Sequence, residues 1–198
     1  MRPALMLVAG AFRCSSILLL VVVPVGGCTA PLHSQRPSGA SQVTAAEALI
    51  DAFYSFDAGR LRSAMASAPD SLPRLLYYQG WAEGGNYVVL ERRPCRLETA
   101  EEVRCDITVR DDFIAALGTG VDVTDTFHLT FREGRIVSVR NSSNDPPEFQ
   151  QALEWLGRER PEILEGPCSG FFAGGPTPQD CARAAARGFA DFAARRRN

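Results

Sequence analysis

The cysteines are the residues of this chain richest in possible chemistry. There are six. Cys14 and Cys28 belong to an N-terminal targeting segment, which leaves Cys95, Cys105, Cys168 and Cys181. An even count in an oxidising compartment reads as two disulfides, and four cysteines allow three pairings. Cys95 and Cys105 are symmetric about position 100, so they can face each other across a hairpin whose loop, Glu98 to Glu102, centres on Ala100. Cys168 and Cys181 then pair locally. Loops of this size contribute roughly 2–3 kcal/mol per bridge in the chain-entropy model. The rival use of four cysteines is a zinc site. Their spacings of ten and thirteen contain no C-x₂₋₄-C knuckle, so no metal is expected.

Acid–base chemistry has fewer candidates. Of the two histidines, His33 lies in a linker-like segment and His128 in a predicted strand. His128 and Asp106 fall on the same parity of neighbouring strands, which makes a dyad conceivable. That parity is opposite to the apolar one, so both face away from the core, and a one-residue slip in register would reverse this. All 21 basic residues are arginine, which excludes Schiff-base and lysine general-base chemistry. No glycine-rich phosphate loop, Ser-His-Asp order or metal-ligand spacing is present, and no cofactor is expected.

These residues must be positioned by two predicted hairpins spanning Asn86 to Ser142. The first pairs Tyr87–Cys95 with Val103–Arg110. The second pairs Asp122–Arg132 with Arg135–Asn141, closed by Glu133-Gly134 as a two-residue turn. Val103, Cys105, Ile107 and Val109 share one face, as do Phe127, Leu129 and Phe131; the alternation predicts one buried and one polar face. Asp111 to Gly118 reads as a short capped helix between the hairpins. Thr44-Ala45-Ala46-Glu47 has the form of a capping box opening a helix to about Phe56, with Asp57 capping a second. A third helix is expected from Leu72 to Gln79, ended by Gly80, Gly84 and Gly85. After the sheet, Asp145-Pro146-Pro147-Glu148 and Thr177-Pro178-Gln179-Asp180 each start a helix. Cys181, Ala185, Phe189 and Phe192 form the last helix's apolar stripe, and Glu165 to Gly175 reads as loop.

The N-terminus is a secretory signal in outline: Arg2 and Arg13, an apolar run from Ile17 to Val23, then small residues. That run is too short to span a bilayer. Val25-Gly26-Gly27-Cys28 resembles a bacterial lipobox, whose cysteine is acylated and becomes the new N-terminus; several acyl chains would give stable anchoring. Residues 1–27 are therefore expected to be a lipoprotein signal peptide and 28–43 a flexible tether. Losing Arg2 and Arg13 leaves 19 arginines against 23 acids, a net −4. A mildly acidic chain gives no reason to expect nucleic-acid binding. The Arg195-Arg196-Arg197 run reads as a solvated helix end near the negative pole of the dipole.

Glu47 to Phe56 as an opening helix, Arg110 to Gly118 as an insert, and Phe131-Arg132-Glu133-Gly134-Arg135-Ile136 as a closing turn resemble, in that order, the NTF2-like (SnoaL-like) superfamily. The tail from Gly166-Pro167-Cys168 to Cys181 resembles its secreted or lipid-anchored bacterial members. The resemblance implies an α+β fold: an NTF2-like cone over 44–160, its curved antiparallel sheet packed on N-terminal helices. A C-terminal extension over 161–198 would carry a disulfide-stapled helix. It also implies a pocket inside the cone, near which Tyr54, Asp57, Tyr78, Trp81 and Phe127 are candidates, with Tyr77 beside them. Enzymes of this superfamily use an ionisable pair inside the cone, typically an acid or histidine with a tyrosine. With His128 and Asp106 outside, the expectation is a non-catalytic, lipid-anchored module of the bacterial cell envelope, binding a hydrophobic small molecule or an envelope protein. A cofactor-independent isomerase or dehydratase in the cone is the alternative. A homodimer through the polar sheet face is a further possibility. Fold alone does not decide among them.

Overall fold

The computed structural model describes residues 39–170 and 178–197. The expectations for the signal segment, for Cys28, for most of the tether and for residues 171–177 lie outside the described residues.

Helix α1 (Gly39–Tyr54) buries Ala46, Leu49, Ile50 and Phe53 along one stripe. It begins ahead of the expected capping box. Thr44 sits inside the helix with its hydroxyl donating to the Ala40 carbonyl, so residues 39–43, expected in the tether, are helical. Gln42 explains the extra turn: it is buried, and its amide donates to the Ala100 carbonyl at the tip of the first hairpin. Asp57 caps α2 (Ala58–Ala64) by accepting from the Gly59 and Arg60 N–H groups. Helix α3 (Leu72–Gly84) runs past its expected stop at Gln79. Buried Gln79 donates to the carbonyls of Ala52 and Phe53, satisfying the open end of α1.

The sheet has five antiparallel strands: β1 (Val88–Arg92), β2 (Arg96–Leu97), β3 (Glu102–Arg110), β4 (Val123–Arg132) and β5 (Arg135–Ser143). Their order is β1-β3-β4-β5, with β2 also on β3. The expected strand Tyr87–Cys95 stops early, at Arg92, and a separate two-residue β2 begins at Arg96, after Pro94, which has no N–H to give the ladder. Arg96 pairs with Arg104 and Leu97 with Val103, which brings Cys95 and Cys105 together in a disulfide. β1 is an edge strand with no buried side, so its apparent alternation does not mark a core face. Strands β3 and β4 follow the expected parity. Val103 pairs with Leu129, Cys105 with Phe127, Ile107 with Asp125 and Val109 with Val123, all buried. Glu133 and Gly134 both have positive φ, 52° and 75°, as a twisted two-residue hairpin turn demands.

Helix α4 (Asp112–Leu117) is capped by the Asp111 carboxylate and stopped by Gly118 in the left-handed region. Helices α5 (Pro147–Glu159), α6 (Pro161–Glu165) and α7 (Pro178–Arg197) complete the described structure. One core lies between α1, α2 and the apolar sheet face. A second is built from Trp81, Phe113, Trp155, Leu156 and Phe189, where α3, α4 and α5 meet α7. The glycines expected to end α3 serve this second core. A Cβ at Gly80 would lie 2.5 Å from Pro178, and one at Gly84 2.4 Å from the Gln179 carbonyl, so α7 approaches where α3 has no side chains. The Cys168–Cys181 disulfide ties the segment after α6 to the first turn of α7. Two disulfides mark an oxidising, extracytoplasmic compartment. Among the described residues, no helix is long and apolar enough to cross a membrane.

Candidate functional site

The apolar row of the sheet contains one acid. Asp125 shares its parity with Phe127, Leu129 and Phe131, sits opposite Ile107, and is only 9% exposed. The last turn of α1 delivers Tyr54 to it, and the Tyr54 hydroxyl donates to Asp125 Oδ2 at 2.7 Å. On its other side Asp125 pairs with Ser143 of β5, whose hydroxyl in turn donates to Asp145.

A cavity of about 200 Å³ opens over this carboxyl. Its apolar walls are Phe53, Tyr78, Trp81, Tyr87 and Phe149. Its polar lining is Asp125, Asn141, Ser142, Ser143 and Asp145. Trp81 is held in place by stacking on Phe113, ring centres 4.6 Å apart.

Burial sets the electrostatics. It pushes the Asp125 carboxyl up to about 7, against the opposing pull of the Tyr54 hydrogen bond; Asp145 and Asp111 push it further the same way. The Tyr54 and Tyr87 hydroxyls are raised by burial and then by the Asp125 charge. Asp145 at the rim is raised by desolvation, opposed by its bond from Ser143. Asp111, behind the wall as the cap of α4, is pushed up to about 6 by burial despite accepting from backbone N–H groups. Near neutral pH the Asp125 carboxyl can therefore both give and take a proton, and Tyr54 fixes its orientation.

Of the candidates read from the sequence, Tyr78 and Trp81 line the cavity. Tyr54 stands behind Asp125. Phe127 is fully buried beneath, edge-on to Phe53 at 5.1 Å. Tyr77 is buried beside Tyr78. Asp57 lies elsewhere, on a shallow groove with Ala48 and Arg60, because capping α2 turns it toward solvent. Asp125, Tyr87, Asn141, Ser143, Asp145 and Phe149 were not among the candidates. The alternation that put Phe127 inward also puts Asp125 there, so this acid had a signal two residues away. The others come from distant segments and had none.

His128 and Asp106 lie on the polar sheet face, as their parity implies, but they do not form a dyad. Asp106 is held by Arg96 and Arg104, each at 2.8 Å, and by Thr126. Those bonds outweigh burial and bring its carboxyl down to about 2. His128 Nδ1 lies 3.2 Å from Glu102 instead. Among the described residues, no group of three His, Cys, Asp or Glu side chains is placed to hold a metal ion.

Comparison of the chain with protein-family models, with curated proteins and with solved structures found no match.

Proposed function

We propose that this chain is a lipid-anchored, extracytoplasmic domain whose cavity captures a small molecule. The carrying observation is the cavity over Asp125: aromatic walls above a buried carboxyl that Tyr54 holds in one orientation. Concave, largely apolar sites with a few convergent polar groups are the usual form of a ligand pocket. We also propose that the fold is an NTF2-like (SnoaL-like) cone. Supporting this are three helices before the sheet, the α4 insert between hairpins, one apolar sheet face against α1, and irregularities in β1 and β5 that curve a sheet.

Tyr78 offers the cleanest test of capture, because it lines the cavity while only half buried. A mixture of small aromatic and aliphatic compounds should yield members that raise the melting temperature of the wild type. Tyr78→Ala should lose that response while remaining folded. No stabilising compound, or equal responses in the variant, would remove the basis for a cavity ligand.

A second reading is favoured by the Tyr54–Asp125 pair itself. A carboxyl titrating near 7 in an apolar cavity is suited to moving a proton on a bound substrate, as a cofactor-independent isomerase or dehydratase requires. Turnover that rises with pH through about 7 and vanishes in Asp125→Asn would establish it. The anchor is tested separately. Radiolabelled palmitate should enter the wild type and not Cys28→Ala, and an unlabelled wild type would refute the lipid.

A further inference from the structure

Taking the cavity as a small-molecule site, we propose that its ligand is a small organic cation, an amine or quaternary ammonium seated against Trp81, Tyr87 and Phe149 with its charge toward Asp125. The charges of the lining are all of one sign. Asp125 and Asp145 face the cavity, and no arginine or histidine lines it. Asp111 adds negative charge from behind, and the Asp125, Asp145 and Asp111 carboxyls act on one another. Two arginines come near without lining the cavity. Arg92 is bound by Glu47 and Asp51, and Arg74 sits against Tyr78, 5.3 Å from the ring centre, donating to its hydroxyl at 3.1 Å. A neutral ligand would deepen the desolvation of these carboxyls without compensating it, and an anion would add repulsion. A cation offsets both.

The aromatic walls carry the same preference. Ring faces are electronegative, and a desolvated ammonium against tryptophan and tyrosine is a recognised use of such walls. A bare metal ion is disfavoured by the same geometry. The carboxyls do not converge into a set of three ligands, and five of the lining side chains are aromatic. The charge that fits is therefore a diffuse one with an apolar envelope. The groups facing the bound charge would be Asp125 and Asp145, with the Tyr54 and Tyr87 hydroxyls and Asp111 beyond them.

Calorimetric titration of the full chain tests this with three probes of matched shape. Choline is the cation, 3,3-dimethylbutan-1-ol its neutral isostere and 3,3-dimethylbutanoate the anion. Choline should bind about ten-fold tighter than the alcohol, and the anion should not bind. Choline affinity should rise between pH 5.5 and pH 8, with proton release at the lower pH detected from buffers of different ionisation enthalpy. Asp125→Asn should lose most of the pH dependence, leaving the part that Asp145 and Asp111 carry, and weaken choline without weakening the alcohol. Phe149→Ala should weaken both. If the alcohol binds as tightly as choline, the cation is refuted and the cavity site survives. If choline binds equally well to Asp125→Asn, the cation is bound elsewhere and the inference fails. If none of the three probes binds, the inference and the small-molecule reading fail together.

Discussion

Burial of Asp125 makes the stability of this protein depend on pH in a direction opposite to that of ordinary paired carboxylates. Its ionisation sets in near 4 in the unfolded chain and at about 7 in the folded one. Between those limits the native state holds a proton that the unfolded chain has given up. Stability is therefore fully present below pH 4 and is lost as pH rises through about 7. At about 1.4 kcal/mol per pH unit, the loss approaches about 4 kcal/mol. Asp111 and Asp145 are raised too and slope the same way, so the wild-type curve alone does not isolate Asp125. Asp125→Asn does, because the amide keeps the shape and an oxygen for Tyr54 but cannot ionise. Urea unfolding of both proteins with disulfides intact, from pH 4 to pH 8, gives the difference directly. The gap should move by about 4 kcal/mol in favour of the variant across that range. The carboxyl carbon resonance of Asp125 should titrate with a midpoint near 7. A gap that stays constant, or moves toward the wild type, would mean that Asp125 is not held in the apolar row, and the electrostatic account of the cavity would collapse.

Replacing Tyr54 with Phe removes the one hydrogen bond that lowers the Asp125 pKa, so the carboxyl midpoint should rise above about 7 and stability should fall by about 1 kcal/mol; an unchanged or lower midpoint contradicts the pairing. Gly84→Ala would put a Cβ 2.4 Å from the Gln179 carbonyl oxygen, where backbone cannot turn aside. Thermal melting should show a loss of about 1–3 kcal/mol instead of the gain usual for alanine in a helix, and a stabilised variant would refute the close approach of α7. Replacing Cys168 and Cys181 together by Ser should cost about 3 kcal/mol at the urea midpoint, and a smaller effect than 1 kcal/mol would show that the second core holds α7 without its staple.

The period-two pattern of β3 and β4 was readable from single residues, because every inward position except Asp125 carries a Val, Ile, Leu, Phe or Cys. The pairing of the cysteines followed from their symmetry about the first hairpin and from their sequence proximity. What misled was local punctuation. Gly80 and Gly84 look like helix breakers, yet they are helical because another helix must lie against them. Thr44 looks like a cap, yet Gln42 finds a partner at the hairpin tip that lengthens the helix. Pro94 splits a strand that alternation alone would leave continuous. Asp125 runs against the rule that an acid in a strand faces water, although its parity with Phe127 turns it inward. Asn141, Ser143, Asp145 and Phe149 reach the cavity only through the register of β5 and the docking of α5, and neither is a local property.

The docking of α7 also governs when the fold can be completed. It is the last described element in chain order, yet it supplies Phe189, Phe192 and Cys181 to a core whose other half, Trp81 and Phe113, was synthesised much earlier. Until α7 emerges, the glycine face of α3 has nothing to rest on and Cys168 has no partner. A growing chain in that condition leaves the second core half-built, while the first, between α1, α2 and the sheet, draws nothing from α7. That delay suits a polypeptide bound for an oxidising compartment. The second core is stapled only where Cys168 and Cys181 can form their bridge.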